Sequence, residues 1–343
     1  MSARWQPAFG PRLHRIEGAG HRAPGIGHRI EGTRPRAPGT AETTGATFRV
    51  CAPDAASVSV VMSTGDVHQM TRREGDVFEA HVIGARAGDR YMLGRDETHT
   101  WPDPCSHWQP DGVHGPSMLV DPDAFAWTDA SWTGVARPRL AIYELHVGTF
   151  TSEGTFAAAT AKLPELAALG VTAIELMPIA AFPGTRNWGY DGGALFAPSE
   201  RYGHPDDLRR LVDRAHALGL AVLLDVVYNH LGPDGAYLAA WMPTIFHSST
   251  SPWGRAINLD GPGSTDVRRL LCDNALHWLI EYHMDGLRLD ATHALVDTSP
   301  EHLLAQLARE VAACISDREV HLIAEDERNL NTLLHPVSRG GAG

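Results

Sequence analysis

LAVLLDVVYNH occupies residues 220–230, and its reading decides the fold. Residues 220–227 form a near-continuous apolar run broken only by Asp225. That is the pattern of a strand buried on both faces of a parallel sheet, because a strand with one wet face would alternate. The run then opens into Tyr228, Asn229 and His230, so polar groups gather where the strand ends. A helical pattern over 205–218 precedes it and stops at Gly219, a residue that accepts the left-handed backbone of a helix terminus.

The same unit recurs on both sides. Strands are expected over 140–147 (LAIYELHV), 171–178 (VTAIELMP), 284–290 (MDGLRLD) and 319–325 (EVHLIAE), with further helices over 155–169, 266–282 and 300–315. A doubly wound sheet fits this count. Polar residues at the C-terminal ends of four different strands favour a TIM barrel, whose chemistry sits in the loops at that face. Upstream, the short runs TFRVCAP, SVSVVMS, VFEAHVIG and RYMLG alternate in polarity and are split by turn residues, which predicts a small antiparallel β-sandwich. A Pro- and Trp-rich connector covers 101–117. The expected architecture is therefore α/β: a sandwich over 46–125, then a partial (β/α)8 barrel over 126–343 with about five of its eight strands. Before these, HRIEGAGHRAPGIG (14–27) is followed by the near-copy HRIEGTRPRAPGTA (28–41). Gly, Pro and Arg dominate, no apolar face repeats, and a disordered leader is expected over 1–45.

Two carboxylate motifs, GLRLDATHA (286–294) and HLIAEDERN (321–329), each follow a short apolar run. Arg288 and Asp290 are two apart and leave a strand on one face, so the arginine can orient the carboxylate and keep it ionised. Glu325 stands beside Asp326 and Glu327, and like charges in a cleft would raise one carboxyl toward the range of a general acid. Retaining glycoside hydrolysis needs such a pair, one nucleophile and one acid/base. Taken singly, each motif also reads as a plain ion pair or an acidic solvated loop.

Together and in order, these blocks resemble those of the α-amylase family of retaining glycosidases and transglycosylases. The resemblance implies Asp290 as nucleophile and Glu325 as acid/base. It implies Arg288, His230 and His293 at the sugar being cleaved, Asp225 steadying the network, and Tyr190 and Trp188 of NWGYDGG as sugar-facing aromatics. The stretches at 143–156, 175–193, 225–238 and 251–264 narrow the resemblance to the malto-oligosyltrehalose trehalohydrolases. That branch implies a starch-binding-like sandwich, a malto-oligosyltrehalose or related α-1,4-glucan as substrate, release of trehalose, and a malto-oligosyltrehalose synthase as metabolic partner. A branching enzyme shares the plan and both motifs, and a non-catalytic glucan-binding protein is the reading from another class. Trp253 reads equally as ligand or loop core, and Trp278, on a helical pattern, as packing.

The bulk numbers exclude more than they choose. A net charge of −12 argues against nucleic acid or an anionic membrane surface. The four cysteines are isolated and read as reduced, mostly buried thiols; with no HExxH or Cys/His cluster, neither metal nor cofactor is expected. The N-terminus has no apolar signal segment, which predicts a cytoplasmic protein. Against the family pattern, three β/α units, a late aspartate and a C-terminal β domain have no counterpart. A truncated, catalytically dead chain with open, apolar sheet edges is the expectation.

Overall fold

The computed structural model describes residues 5–16, 43–339 and 341. Nine strands come first: β1 (Gly10–Ile16), β2 (Thr43–Cys51), β3 (Val58–Met62), β4 (Val67–Gln69), β5 (Thr71–Arg72), β6 (Val77–Ile83), β7 (Arg90–Arg95), β8 (His99–Trp101) and β9 (Ser117–Met118). They form two antiparallel sheets, ordered β1-β2-β6-β5 and β4-β3-β7-β8, with β9 against β7. Alternate residues of β3 and β6 point inward, so Phe48, Val60, Phe78, Tyr91 and Leu93 fill one apolar core with Trp241 from further along the chain. The connector is interior: Asp103, Ser106 and Gln109 are buried, and Asp103 accepts the Tyr91 hydroxyl at 2.8 Å.

The expected disordered leader over 1–45 needs correction at its two ends. Gly10–Ile16 pairs in full antiparallel register with Thr43–Arg49, Phe9 is buried, and the Ala8 N–H donates to Asp273 at 2.7 Å. A strand added to a sheet gains main-chain hydrogen bonds whatever its side chains, which is why no periodic signal announced it. Most of the tandem duplication lies outside the described residues.

The second part alternates as the sequence predicts. Strands β10 (Ile142–Leu145), β11 (Ala173–Leu176), β14 (Ala221–Val226), β17 (Gly286–Leu289) and β18 (His321–Ala324) form one parallel sheet in that spatial order. Between β11 and β14 the chain adds the hairpin of β12 (Ala180–Ala181) and β13 (Ala194–Pro198); between β14 and β17 it adds β15 (Phe246–Ser251) and β16 (Gly254–Ile257). Strict chain order is the order of a barrel wall; a doubly wound sheet would reverse at a switch point.

The one-turn helix α1 (Val147–Phe150) follows β10, and α2 (Phe156–Leu169) starts where the Thr155 hydroxyl caps the Ala158 N–H at 3.2 Å. Next come α3 (Pro205–Ala217), with a capping box between His204 and Asp207, and the one-turn α4 (Leu238–Trp241). Then follow α5 (Ser264–Glu281) and α6 (Leu303–Cys314). Trp278 packs in the core as its helical spacing implies. The central β14 is buried along its whole length, whereas Ile142 and Tyr143 of the edge strand β10 are exposed. At Gly286 a Cβ would stand 2.3 Å from the His321 carbonyl oxygen, so only glycine lets β17 and β18 approach this closely. Cys51, Cys105 and Cys272 are buried, Cys314 is exposed, and none is bonded to another. No described helix is long and apolar enough to cross a membrane.

Candidate active site

Register assembles the site at the C-terminal end of the parallel sheet. Asp225 on β14 stands opposite Arg288 on β17, and Arg288 opposite Ile323 on β18. Asp290 and Glu325 then leave the ends of neighbouring strands. One guanidinium holds three carboxylates. Its Nη1 lies 2.9 and 3.0 Å from the two Asp225 oxygens and 2.7 Å from Asp290 Oδ1, and its Nη2 lies 3.3 Å from Glu325 Oε1. This is the arginine–carboxylate contact expected from the i, i+2 spacing, extended to two further strands that spacing could not name.

The second oxygen of Asp290 is fixed by Asn229 Nδ2 at 2.8 Å. Asn229 also meets the His230 ring, and His230 Nε2 is 3.0 Å from the Tyr190 carbonyl oxygen. Asn229 was visible only as half of an Asn-His pair; its contact with Asp290 needed the fold. The Tyr190 hydroxyl donates to Asp225 at 3.0 Å. Burial pushes the Asp225 carboxyl up to about 7 against the pull of Arg288. Burial and the neighbouring Asp225 likewise raise the Tyr190 hydroxyl, keeping it a donor.

Glu325 differs from Asp290 in setting. Its side chain is 48 % exposed, while Asp290 is 15 % exposed. The Ala291 N–H donates to Glu325 Oε2 at 2.7 Å, and Ala291 has φ +43°, a left-handed backbone that costs a non-glycine residue energy. The chain is thus turned sharply after Asp290 so that its next amide reaches the carboxyl of the neighbouring strand.

The like-charge cluster expected around Glu325 is dispersed. Arg328 contacts Asp326 at 2.6 and 2.9 Å, holding that carboxyl well below the usual range, and Thr292 adds a bond at 3.1 Å. Glu327 is 78 % exposed and lies 3.8 Å from His293 Nε2. Three acidic residues in a row need not share a cleft, since adjacent side chains after a strand diverge.

The aromatic candidates separate. Trp253 stacks near His230 and meets His293 edge-on at 5.8 Å. Trp188 is exposed and lies against His146, 5.3 Å between centroids. His146 itself directly follows β10, and its Nε2 is 2.8 Å from the Asn187 carbonyl oxygen. The polar-residue-at-a-strand-end signal that marked the other strands applied to His146 equally. A pocket that includes His230, Tyr237, Phe246 and Trp253 opens on one side of His230, and a smaller cavity is lined by Tyr190, Asp225 and His230.

Known proteins resemble this chain along most of its length. A model of the alpha amylase catalytic domain matches residues 119–247. Malto-oligosyltrehalose trehalohydrolase of Saccharolobus solfataricus is 44% identical over 297 residues, 87% of this chain and 52% of that protein. The chain belongs to the α-amylase family. Its resemblance within that family runs to the trehalohydrolases: the Deinococcus radiodurans enzyme is 47% identical over 84% of this chain and 47% of its own length. A branching enzyme of Burkholderia thailandensis matches at a lower 36%. The crystal structure of an alpha-amylase-type protein from Salmonella typhimurium superposes with a TM-score of 0.84 at 38% identity, over 97% of this chain and 52% of the other. The chain spans about half the length of the curated relatives it matches.

Proposed function

We propose that this chain carries the nucleophile and acid/base of a retaining α-glucan hydrolase that releases trehalose from malto-oligosyltrehalose. The observation that carries this reading is Arg288 bridging Asp290 and Glu325, which keeps two carboxyls from adjacent strands within the span of one guanidinium. Such a span is compatible with the about 5–5.5 Å separation of retaining enzymes, which is too small to admit water between the carboxyls as inversion requires.

The environments divide the labour. Asp290 is held on both oxygens by Arg288 and Asn229, both donors, which fixes the carboxylate for attack. Its carboxylate attacks the anomeric carbon while Glu325, open to the cleft, protonates the departing glycosidic oxygen. Water then attacks the glycosyl-enzyme, with Glu325 taking its proton. Asp225 positions Arg288 and Tyr190 from below. Tyr190, His230, His293 and Trp188 are assigned to the sugar, with the aromatic faces set against the apolar faces of glucose. The larger architecture follows the same reading: a carbohydrate-binding-like sandwich over 46–125 and a partial catalytic barrel from 126 to 343, with five parallel strands. The metabolic partner is a synthase that builds the trehalose-capped chain, in the cytoplasm. Trehalohydrolase relatives match at higher identity than the branching enzyme, which supports hydrolysis over branching.

A fluorinated maltosyl fluoride that accumulates the glycosyl-enzyme tests the chemistry, with mass spectrometry of the peptide over 286–294. Label on Asp290, absent from Asp290→Asn, is expected. Label on another residue, or none on protein whose folding is verified by circular dichroism, overturns the assignment. Chromatography of products from malto-oligosyltrehalose tests the substrate: trehalose supports the reading, and new α-1,6 linkages would replace it with branching.

A further inference from the structure

Away from Arg288, the connector and α5 bring His107, His277 and Glu281 together in the interior. His277 and Glu281 are one helical turn apart and share a face, while His107 arrives from a remote part of the sequence. One ligating atom of each lies within 4.8 Å of the other two. His277 Nδ1 is 3.3 Å and His107 Nδ1 3.8 Å from the same Glu281 oxygen, Oε2. Side-chain exposure is 0 % for His277, 7 % for His107 and 12 % for Glu281.

Hydrogen bonding limits what can sit between these groups. His277 Nε2 lies 3.0 Å from the Phe196 carbonyl oxygen. A carbonyl oxygen only accepts, so Nε2 carries the proton and Nδ1 of the neutral ring is a bare lone pair. His107 Nε2, His277 Nδ1 and Glu281 Oε2 are all buried with no hydrogen-bond partner among the described residues. The His277 Nδ1 and Glu281 Oε2 lone pairs converge at 3.3 Å, and in a low-dielectric interior they repel unless a cation separates them. A second proton on His277 would supply one; so would a metal ion.

Two observations favour the metal. Ligands held 2.0–2.2 Å from a tetrahedral zinc stand about 3.3 Å apart, the spacing of His277 Nδ1 and Glu281 Oε2, with His107 Nδ1 a little further out at 3.8 Å. A backbone carbonyl gripping the far ring nitrogen is how metal-binding histidines are oriented. Arg209 is neutralised by Asp206 at 2.7 Å and lies over the Tyr282 ring. A cavity lined by Trp5, Pro11, Arg12, His107 and Glu281 reaches the cluster, giving an entry path and room for a water as fourth ligand.

We propose that His107, His277 and Glu281 bind one zinc-class divalent ion that ties the connector to α5, and so the antiparallel sheets to the parallel one. Two imidazoles and one carboxylate select zinc over magnesium or calcium, which prefer all-oxygen sites. The sequence expectation of no metal looked for short spacings, and His107 is too far from α5 to register.

The test uses the full chain stripped with EDTA and titrated with Co²⁺ as probe. One equivalent with the visible d–d bands of a tetrahedral site is expected, displaced by Zn²⁺. His107→Gln and Glu281→Gln should each weaken binding by about 10²-fold. Zn²⁺ should raise Tm of the parent chain by a few degrees and leave both variants unmoved. A parent chain with native near-UV circular dichroism that takes up no Co²⁺ overturns the proposal and leaves a protonated His277–Glu281 pair. Uptake unchanged in both variants overturns it as well, since the ion then sits elsewhere.

Discussion

The two ends of β17 carry the same residue type in opposite conditions. Asp285, before its first residue, is fully buried and satisfied: Trp132 Nε1 donates at 2.7 Å, the Val222 N–H at 2.8 Å, and His216 Nε2 lies at 2.9 Å. Asp290, past its last residue, is clamped on both oxygens yet shares an arginine with an exposed partner carboxyl. A sealed carboxylate has nothing left to offer a ligand, and its hydrogen bonds go into folding. An open one keeps lone pairs free for a substrate. In a parallel sheet the loops beyond the carboxyl ends are where chemistry collects, and this strand shows the division within six residues of chain.

The sharpest way to break the comparison is to neutralise each aspartate in turn. On whatever trehalose release the chain supports, Asp290→Asn should lower kcat/KM on the order of 10⁴-fold, the scale of losing a covalent nucleophile, with Tm nearly unchanged or raised. Steady-state kinetics beside a thermal melt checks both halves. A large fall in Tm would make Asp290 structural and erase the contrast.

Asp285→Asn should do the reverse. Removing one partner from a buried, charged network costs about 3–5 kcal/mol, because the groups left behind remain desolvated. Denaturant unfolding should show the midpoint falling with the slope retained, while kcat of the folded fraction stays at the parent value. Loss of turnover without loss of stability would mean that the two ends of the strand are not separate.

Arg288→Lys refines the picture on the open side. A lysine keeps the charge but offers one point where the guanidinium bridges three carboxylates. A fall in kcat of about 10²-fold is expected, larger than any change in KM, since the substitution misplaces reacting groups and not bound sugar. Unchanged kcat would show that Arg288 only balances charge.

Sequence and structure agree best where one strand decides the outcome. The apolar runs gave all five parallel strands and their four helices, because burial on both faces demands unbroken hydrophobicity. Asp225, Arg288, Asp290 and Glu325 were each legible as strand-end polar residues. What joins them is register, the pairing of Asp225 with Arg288 across β14 and β17, and no local pattern encodes that. The acidic trio at 325–327 misled for a related reason: Arg328 folds back onto Asp326 through a turn whose direction the spacing does not reveal. β1 was hidden because an edge strand can be held by main-chain bonds alone.

The smallest effect expected is a pH dependence that belongs to the sealed end. His216 lies between Asp129 at 2.8 Å and Asp285 at 2.9 Å, with Trp132 stacked on its ring and His283 sharing Asp129. Burial alone would lower its pKa, but the two carboxylates overcome this and raise it. A raised histidine stabilises the fold in its protonated form. Its contribution is complete below the unfolded value of about 6.5 and is lost as pH rises through the folded value. The parent chain should therefore lose stability on that alkaline rise, a loss absent from His216→Gln. Urea midpoints for both proteins across pH 6 to 9 check it, and the difference between the curves isolates this one histidine from the other eighteen. Parallel curves would mean that His216 stays neutral, and that the satisfaction of Asp285 comes from Trp132 and the Val222 amide without an ion pair.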